Sequence, residues 1–167
     1  MELFSTSLLA SFEALETALK QGILVPSALA LQTLAAYWAR SLPQGTALAL
    51  SGPLGSGKTT FVQGFAHGLG IDPPVGSPTF NLYQVYHSTG GHPAKSLVHI
   101  DAYRLTHPCH THGLYLHDCS PPGAFIAAEW PQNLDWDAVP HERLHHLVLA
   151  AQPTGHTLQW VGSGSLH

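Results

Sequence analysis

Apolar side chains at Leu8, Phe12, Leu15 and Leu19 recur at the three- to four-residue interval of a helix, and Gly22 and Pro26 then interrupt the pattern. The pattern predicts a helical N-terminal extension over residues 1–26. Ser27 stands where a helix N-cap belongs, ahead of Leu31, Leu34, Ala35 and Trp38 on one helical face. Pro43-Gln44-Gly45 closes that element, and the short apolar run from Thr46 to Ser51 reads as a strand. A glycine-rich turn follows, then a helical pattern from Lys58 to about Leu69, with Gly70 as its C-terminal stop. Five later runs read as strands: Phe80 to Tyr86, Leu97 to Asp101, Ala124 to Glu129, Leu144 to Ala150, and Thr157 to Val161. The stretch from Leu105 to Gly123, rich in His, Pro and Gly, reads as loop or short irregular helix. Few helices in the second half predict a mixed sheet rather than a strictly alternating α/β chain. There is no internal repeat.

Composition narrows the class. A chain of 167 residues with a hydrophobic fraction of 44% suits one domain with a single core. Charged residues are 10% of the chain, against about 25% in ordinary proteins, so Ser, Thr, Gln, His, Gly and Pro must cover much of the surface. The net charge of −4, with six Lys and Arg, argues against a protein that grips nucleic acid by itself, because such binding needs clustered cations to displace phosphate counterions. Cys109 and Cys119 alone do not make a disulfide framework. The chain begins Met1-Glu2 without a basic leader and has no apolar run of the roughly 18 residues a membrane span needs, so a cytoplasmic location is expected.

The glycine-rich turn carries the clearest chemistry. Gly52-Pro53-Leu54-Gly55-Ser56-Gly57-Lys58-Thr59 satisfies the phosphate-loop pattern G-x-x-x-x-G-K-[ST] between a strand and a helix, which is the context the pattern requires. Its glycines let successive amide groups, including those of Gly55, Ser56 and Gly57, converge on phosphate oxygens, and the following helix adds its positive end. The Lys58 ammonium reaches β- and γ-phosphates, and the Thr59 hydroxyl ligates Mg²⁺. The expected cofactors are ATP and Mg²⁺. Hydrolysis also needs a carboxylate near the phosphates. Asp101 and Glu129 each end an apolar strand, where an acid serves catalysis, caps a helix or forms a solvated edge charge.

At these residues the chain resembles the bacterial TsaE (YjeE) ATPases. Four motifs occur in that family's order: the loop from Gly52 to Thr60; Ser77-Pro78-Thr79-Phe80, with Tyr86 following; His99-Ile100-Asp101-Ala102-Tyr103-Arg104-Leu105; and Glu129-Trp130-Pro131. The likeness covers about Ser27 to Val161. It implies a three-layer P-loop NTPase domain over residues 27–167 with a mixed, partly parallel sheet. It further implies an accessory ATPase for threonylcarbamoyladenosine formation on tRNA, which acts through a TsaB–TsaD pair and touches tRNA only indirectly. By the same resemblance Thr59 and Glu129 ligate Mg²⁺, and Asp101 is needed for activity. Trp130 lies beside the site, Ser77 to Phe80 form a switch-like loop near the γ-phosphate, and Thr60 and Thr79 join the nucleotide contacts.

Some positions depart from the family. Pro53 replaces a usual Asp and Ser56 a common Ala, in a loop that acts through its backbone. After Leu105 the family carries an acidic helix-like segment, whereas this chain reads Thr106-His107-Pro108-Cys109-His110-Thr111-His112-Gly113, which alters any partner contact made there. Cys109, His110, His112, His117 and Cys119 are zinc-type ligands without a diagnostic spacing, and read as an exposed loop. Tyr83, Tyr86 and Tyr103 read as half-buried strand positions. Arg104 reads as an ion-pair partner of Asp101 rather than an arginine finger.

Two rival functions share the phosphate loop. A small-molecule kinase usually carries an arginine-rich lid, for which six basic residues leave little material. A non-catalytic ATP-binding adaptor would use nucleotide only to order a partner surface. The absence of an evident second cation near the phosphates predicts slow hydrolysis without partners.

Overall fold

The computed structural model describes residues 2–5, 7, 10–72, 74–78, 81–90 and 95–163. Within them an eight-stranded sheet forms the middle layer, in the order β1-β2-β8-β7-β3-β6-β5-β4. The strands are β1 (Glu2–Leu3), β2 (Ile23–Val25), β3 (Thr46–Ser51), β4 (Tyr83–His87), β5 (Ser96–Asp101), β6 (Phe125–Glu129), β7 (Arg143–Gln152) and β8 (Gly155–Ser163). The sheet is mixed, as expected. β5, β6, β3 and β7 run parallel, while β4 and β8 pair antiparallel with their neighbours. The C-terminal ends of these four parallel strands therefore lie along one edge of the sheet, where α/β proteins bind ligands.

Side chains on a strand alternate between faces, and β3 uses that alternation fully. Leu48 and Leu50 face the larger core, under α1 (Phe12–Gln21), α2 (Ala28–Ser41) and α3 (Lys58–Gly68). Ala47 and Ala49 face the other core, closed by 3-10 turns and by α4 (Leu116–Cys119), with Leu116, Leu134 and Trp136 as its large members. The opposite layer is thus made of short turns. This is what the Leu105–Gly123 reading anticipated: a 3-10 segment Pro108–Leu114, then one α-turn.

Ser27 caps α2 by accepting a hydrogen bond from the Ala30 amide at 3.1 Å, and Ser11 caps α1 through Ala14 at 3.1 Å. α2 and α3 touch through glycine. A Cβ on Gly64 would lie 2.4 Å from the Gln32 backbone, and one on Gly68 2.3 Å from the Ala36 carbonyl oxygen. The N-terminal segment, expected to be a helical extension, contributes α1 to the larger core through Leu15 and Leu19 and adds β1 and β2 to the sheet. Leu8, the first position of the predicted stripe, lies outside the described residues. Among the described residues no helix is long and apolar enough to cross a membrane.

Candidate functional site

Residues 52–57 connect β3 to α3, and Gly57 occupies the N-cap of α3 with φ +101°, a backbone angle that a side chain strains. Lys58 opens the helix and is almost wholly buried. Its ammonium donates to the carbonyl oxygens of Gly52 at 2.8 Å and Pro53 at 2.9 Å, and lies 4.4 Å from the centre of the Trp130 ring. Burial lowers the Lys58 pKa, while the carboxylates of Glu129 and Asp101 push it back up.

The alternation of β5 and β6 decides which residues meet α3. Leu97 and Phe125 point into the larger core, so His99, Asp101 and Glu129, at two-residue steps from them, fall on that same face. The strands are in register with Asp101 opposite Glu129, and Glu129 opposite Leu50 of β3. Thr59, at the start of α3, donates its hydroxyl proton to Glu129 Oε1 at 2.8 Å. His99 Nε2 lies 3.1 Å from the same oxygen, and since a carboxylate accepts, the histidine donates. His99 is fully buried and its Nδ1 has no partner among the described residues.

Asp101 has different company. Its Oδ2 accepts from the Ser77 hydroxyl at 2.7 Å, and its Oδ1 accepts from the Tyr103 amide at 3.1 Å, so it also caps the 3-10 turn Ala102–Arg104. Arg104 is not its ion-pair partner, contrary to expectation: no ion pair among the described residues joins them, and the Asp101 oxygens accept from Tyr103 and Ser77. Tyr86 is buried and Tyr83 half-buried in β4, as expected, but Tyr103 is 63% exposed on that turn. Its ring sits 5.0 Å from that of Trp130.

Lys58, Thr59, Thr60, Gly55, Gly57, Asp101, Glu129 and Trp130 line one cleft of about 350 Å³. The structure therefore brings together the phosphate-loop residues and both acids. Ser56 is buried under the loop, and its hydroxyl has no partner among the described residues. Ser77 reaches the cleft, whereas Thr79 and Phe80 lie outside the described residues. Leu54, Tyr103 and His156 of β8 also line the cleft and were not anticipated as site residues. His156 is separated from the loop by 100 positions, and one of 13 histidines gives no local sign of such a contact.

Away from the cleft, His112 pairs with Asp135 at 2.8 Å, and Cys109 and Cys119 are exposed free thiols. Among the described residues no group of three or more His, Cys, Asp or Glu is arranged to hold a metal ion.

A family model described as "Threonylcarbamoyl adenosine biosynthesis protein TsaE" matches residues 25–157. The tRNA threonylcarbamoyladenosine biosynthesis protein TsaE of Bacillus subtilis is 37% identical over 109 residues, 64% of this chain and 63% of that protein. Its counterpart in Synechocystis is 40% identical over 100 residues, 58% of this chain and 60% of that protein. The Streptomyces coelicolor protein is 48% identical over 68 residues, 41% of this chain and 45% of that protein. The matches thus span less than two thirds of these curated relatives. The crystal structure of Bacillus subtilis YdiB superposes with a TM-score of 0.61 at 27% identity, covering 81% of this chain and 82% of that one.

Proposed function

The chain belongs to the TsaE family, and from that premise we propose that it is a Mg²⁺-dependent ATPase serving threonylcarbamoyladenosine formation on tRNA through a TsaB–TsaD-type pair of partners. The observation that carries the ATPase reading is the 2.8 Å contact of Thr59 Oγ1 with Glu129 Oε1, which ties the phosphate loop to the end of β6. A hydroxyl and a carboxylate are hard oxygen donors, the kind Mg²⁺ takes alongside phosphate oxygens and waters, so the residues fit that ion. Charge supports the same conclusion. Among the described cleft residues Lys58 is the only Lys or Arg, facing Asp101 and Glu129. A triphosphate entering with no cation of its own would meet more negative charge than positive. When bound, Mg²⁺ supplies the missing positive charge to the phosphate oxygens.

The protein groups then divide the work. Lys58 exchanges two backbone carbonyls for phosphate oxygens. The Gly55 and Gly57 amides, with Thr60 at the helix start, surround the phosphates, while the buried Ser56 amide donates within the loop to the Pro53 carbonyl at 3.2 Å. Thr59 and Glu129 would hold the metal, and His99, 3.1 Å from Glu129 Oε1, fixes the rotamer of Glu129. Asp101, held by Ser77 and the Tyr103 amide, orients the attacking water or couples the state of the phosphate to the 77–80 segment. Trp130 and Tyr103 flank one side of the cleft. No arginine lines the cleft among the described residues, which disfavours a kinase with an arginine-rich lid.

The test is single-turnover ATP hydrolysis with and without the TsaB–TsaD pair. Slow turnover alone, accelerated by the pair, is the expected result. Rapid turnover indifferent to the pair indicates an independent ATPase, and binding without hydrolysis in either case indicates an adaptor.

A further inference from the structure

His156 sits at the start of β8, opposite Val25 of β2 on one side and Ala151 of β7 on the other. Its Nδ1 lies 3.0 Å from the carbonyl oxygen of Ser56, in the middle of the phosphate loop. A carbonyl only accepts, so Nδ1 carries the hydrogen and donates. No other donor to this oxygen is found among the described residues. Ser56 is fully buried, so water does not substitute.

The peptide that joins Ser56 to Gly57 is planar, and its carbonyl and its N–H point in opposite directions. Pulling the Ser56 oxygen toward β8 turns the Gly57 N–H away from β8. Gly57 is the N-cap of α3, has no side-chain cap and lines the cleft, and its φ of +101° places it outside the helical region. The ring of His156 also packs against Gly57: a Cβ there would come within 3.1 Å of Nδ1. The backbone that carries His156 is itself tightly held, because a Cβ on Gly155 would lie 2.2 Å from the Val25 carbonyl oxygen.

We infer that His156 is a positioning residue for the phosphate loop: from the β8 side of the cleft, it fixes the Ser56–Gly57 peptide so that the Gly57 amide faces the nucleotide phosphates. The inference rests on the nucleotide reading of the cleft. It also gives β2 a role in that site, since β2 flanks the strand end from which His156 reaches the loop.

Two measurements test it. In ¹⁵N spectra of the wild-type protein, His156 shows the Nδ1–H tautomer, the minor form of free imidazole. ADP moves the Gly57 amide proton downfield. Then ADP affinity is compared, by calorimetry with Mg²⁺, for His156→Phe, which fills the space without a donor, and His156→Asn, whose amide can donate to the Ser56 oxygen. His156→Phe should bind about tenfold more weakly and lose the Gly57 shift, the loss expected for one hydrogen bond to a buried group. His156→Asn should recover most of both. An Nε2–H tautomer in the wild type overturns the inference even if every variant misfolds. So does a folded His156→Phe with wild-type ADP affinity and an unchanged Gly57 shift. Wild-type protein that binds no ADP or ATP at all refutes instead the nucleotide reading beneath it.

Discussion

Asp101 and Glu129 stand directly opposite each other on β5 and β6, yet among the described residues their side chains have no hydrogen-bonding neighbour in common. Glu129 is buried and receives Thr59 and His99, whereas Asp101 is half-exposed and receives Ser77 and the Tyr103 amide. One acid is wired to the phosphate loop, the other to the segment that precedes β4.

Their amide variants should therefore fail differently. In Glu129→Gln the side chain can still accept from Thr59, so the fold persists, but a negative oxygen donor is gone. ATP affinity should lose most of its dependence on Mg²⁺, and turnover should fall. Asp101→Asn should still bind Mg²⁺-ATP while partner-stimulated turnover drops about 10²-fold or more, the lower range for losing a positioned acid or base. ATP affinity with and without Mg²⁺, measured beside turnover, separates the two. The reverse pattern would swap their roles.

Lys58→Met keeps the stem of the side chain and removes its charge. The Gly52 carbonyl loses its donor, the Pro53 carbonyl keeps only the Ser56 amide, and a triphosphate loses the only Lys or Arg among the described cleft residues. ATP binding should weaken at least about 100-fold, or ~2.7 kcal/mol, in line with charge-assisted hydrogen bonds lost in a buried site. Calorimetric affinity within a few-fold of wild type would remove Lys58 from the phosphate contacts.

A buried histidine predicts acid sensitivity. His145 lies between the rings of Trp38 and Trp160, at 5.8 and 4.9 Å, and burial lowers its pKa from 6.5, assisted by Arg143. The unfolded chain thus takes up this proton at higher pH than the folded one. The His145 contribution to stability is intact above pH 6.5 and declines as pH falls from there to the lowered folded value. His145→Phe should keep the aromatic packing and make the melting temperature fall less steeply below pH 6.5. Parallel wild-type and variant melting curves between pH 5 and 8 would show His145 to be uninvolved.

The α2–α3 contact admits no side chain at Gly64. Gly64→Ala forces the helices apart against the Gln32 backbone and should cost about 1–3 kcal/mol. The denaturant midpoint should fall with little change in slope. A midpoint at or above wild type would mean that the helix gain of alanine outweighs the contact.

The sequence made the strand–loop–helix around Lys58 legible because glycine spacing, an apolar run and a helical period agree there. The acids were legible as strand ends, since β5 and β6 are buried enough to read as apolar runs. β2 was not: three residues between Gly22 and Pro26 are too short to show alternation, and their pairing partner lies more than 130 positions away. β7 and β8 run past their predicted ends because hairpin pairing extends strands into polar residues such as Gln152 and His156. Asp101 illustrates a false dichotomy. Cap and site are not alternatives here, since the residue caps a 3-10 turn while lining the cleft. The roles of His99 and His156 depend on which side chain stands across the sheet or beside the loop, information that local pattern does not hold.

Trp130 adopts φ +59°, a left-handed turn that sets its indole over the Lys58 ammonium. The other three tryptophans, Trp38, Trp136 and Trp160, are buried in the two cores. The molecule therefore carries one indole at its cleft and three shielded from it. Drawing the ammonium off that ring toward a phosphate changes the field on a single chromophore, so occupancy of the cleft can be followed through native fluorescence, without a label, in the unmodified chain.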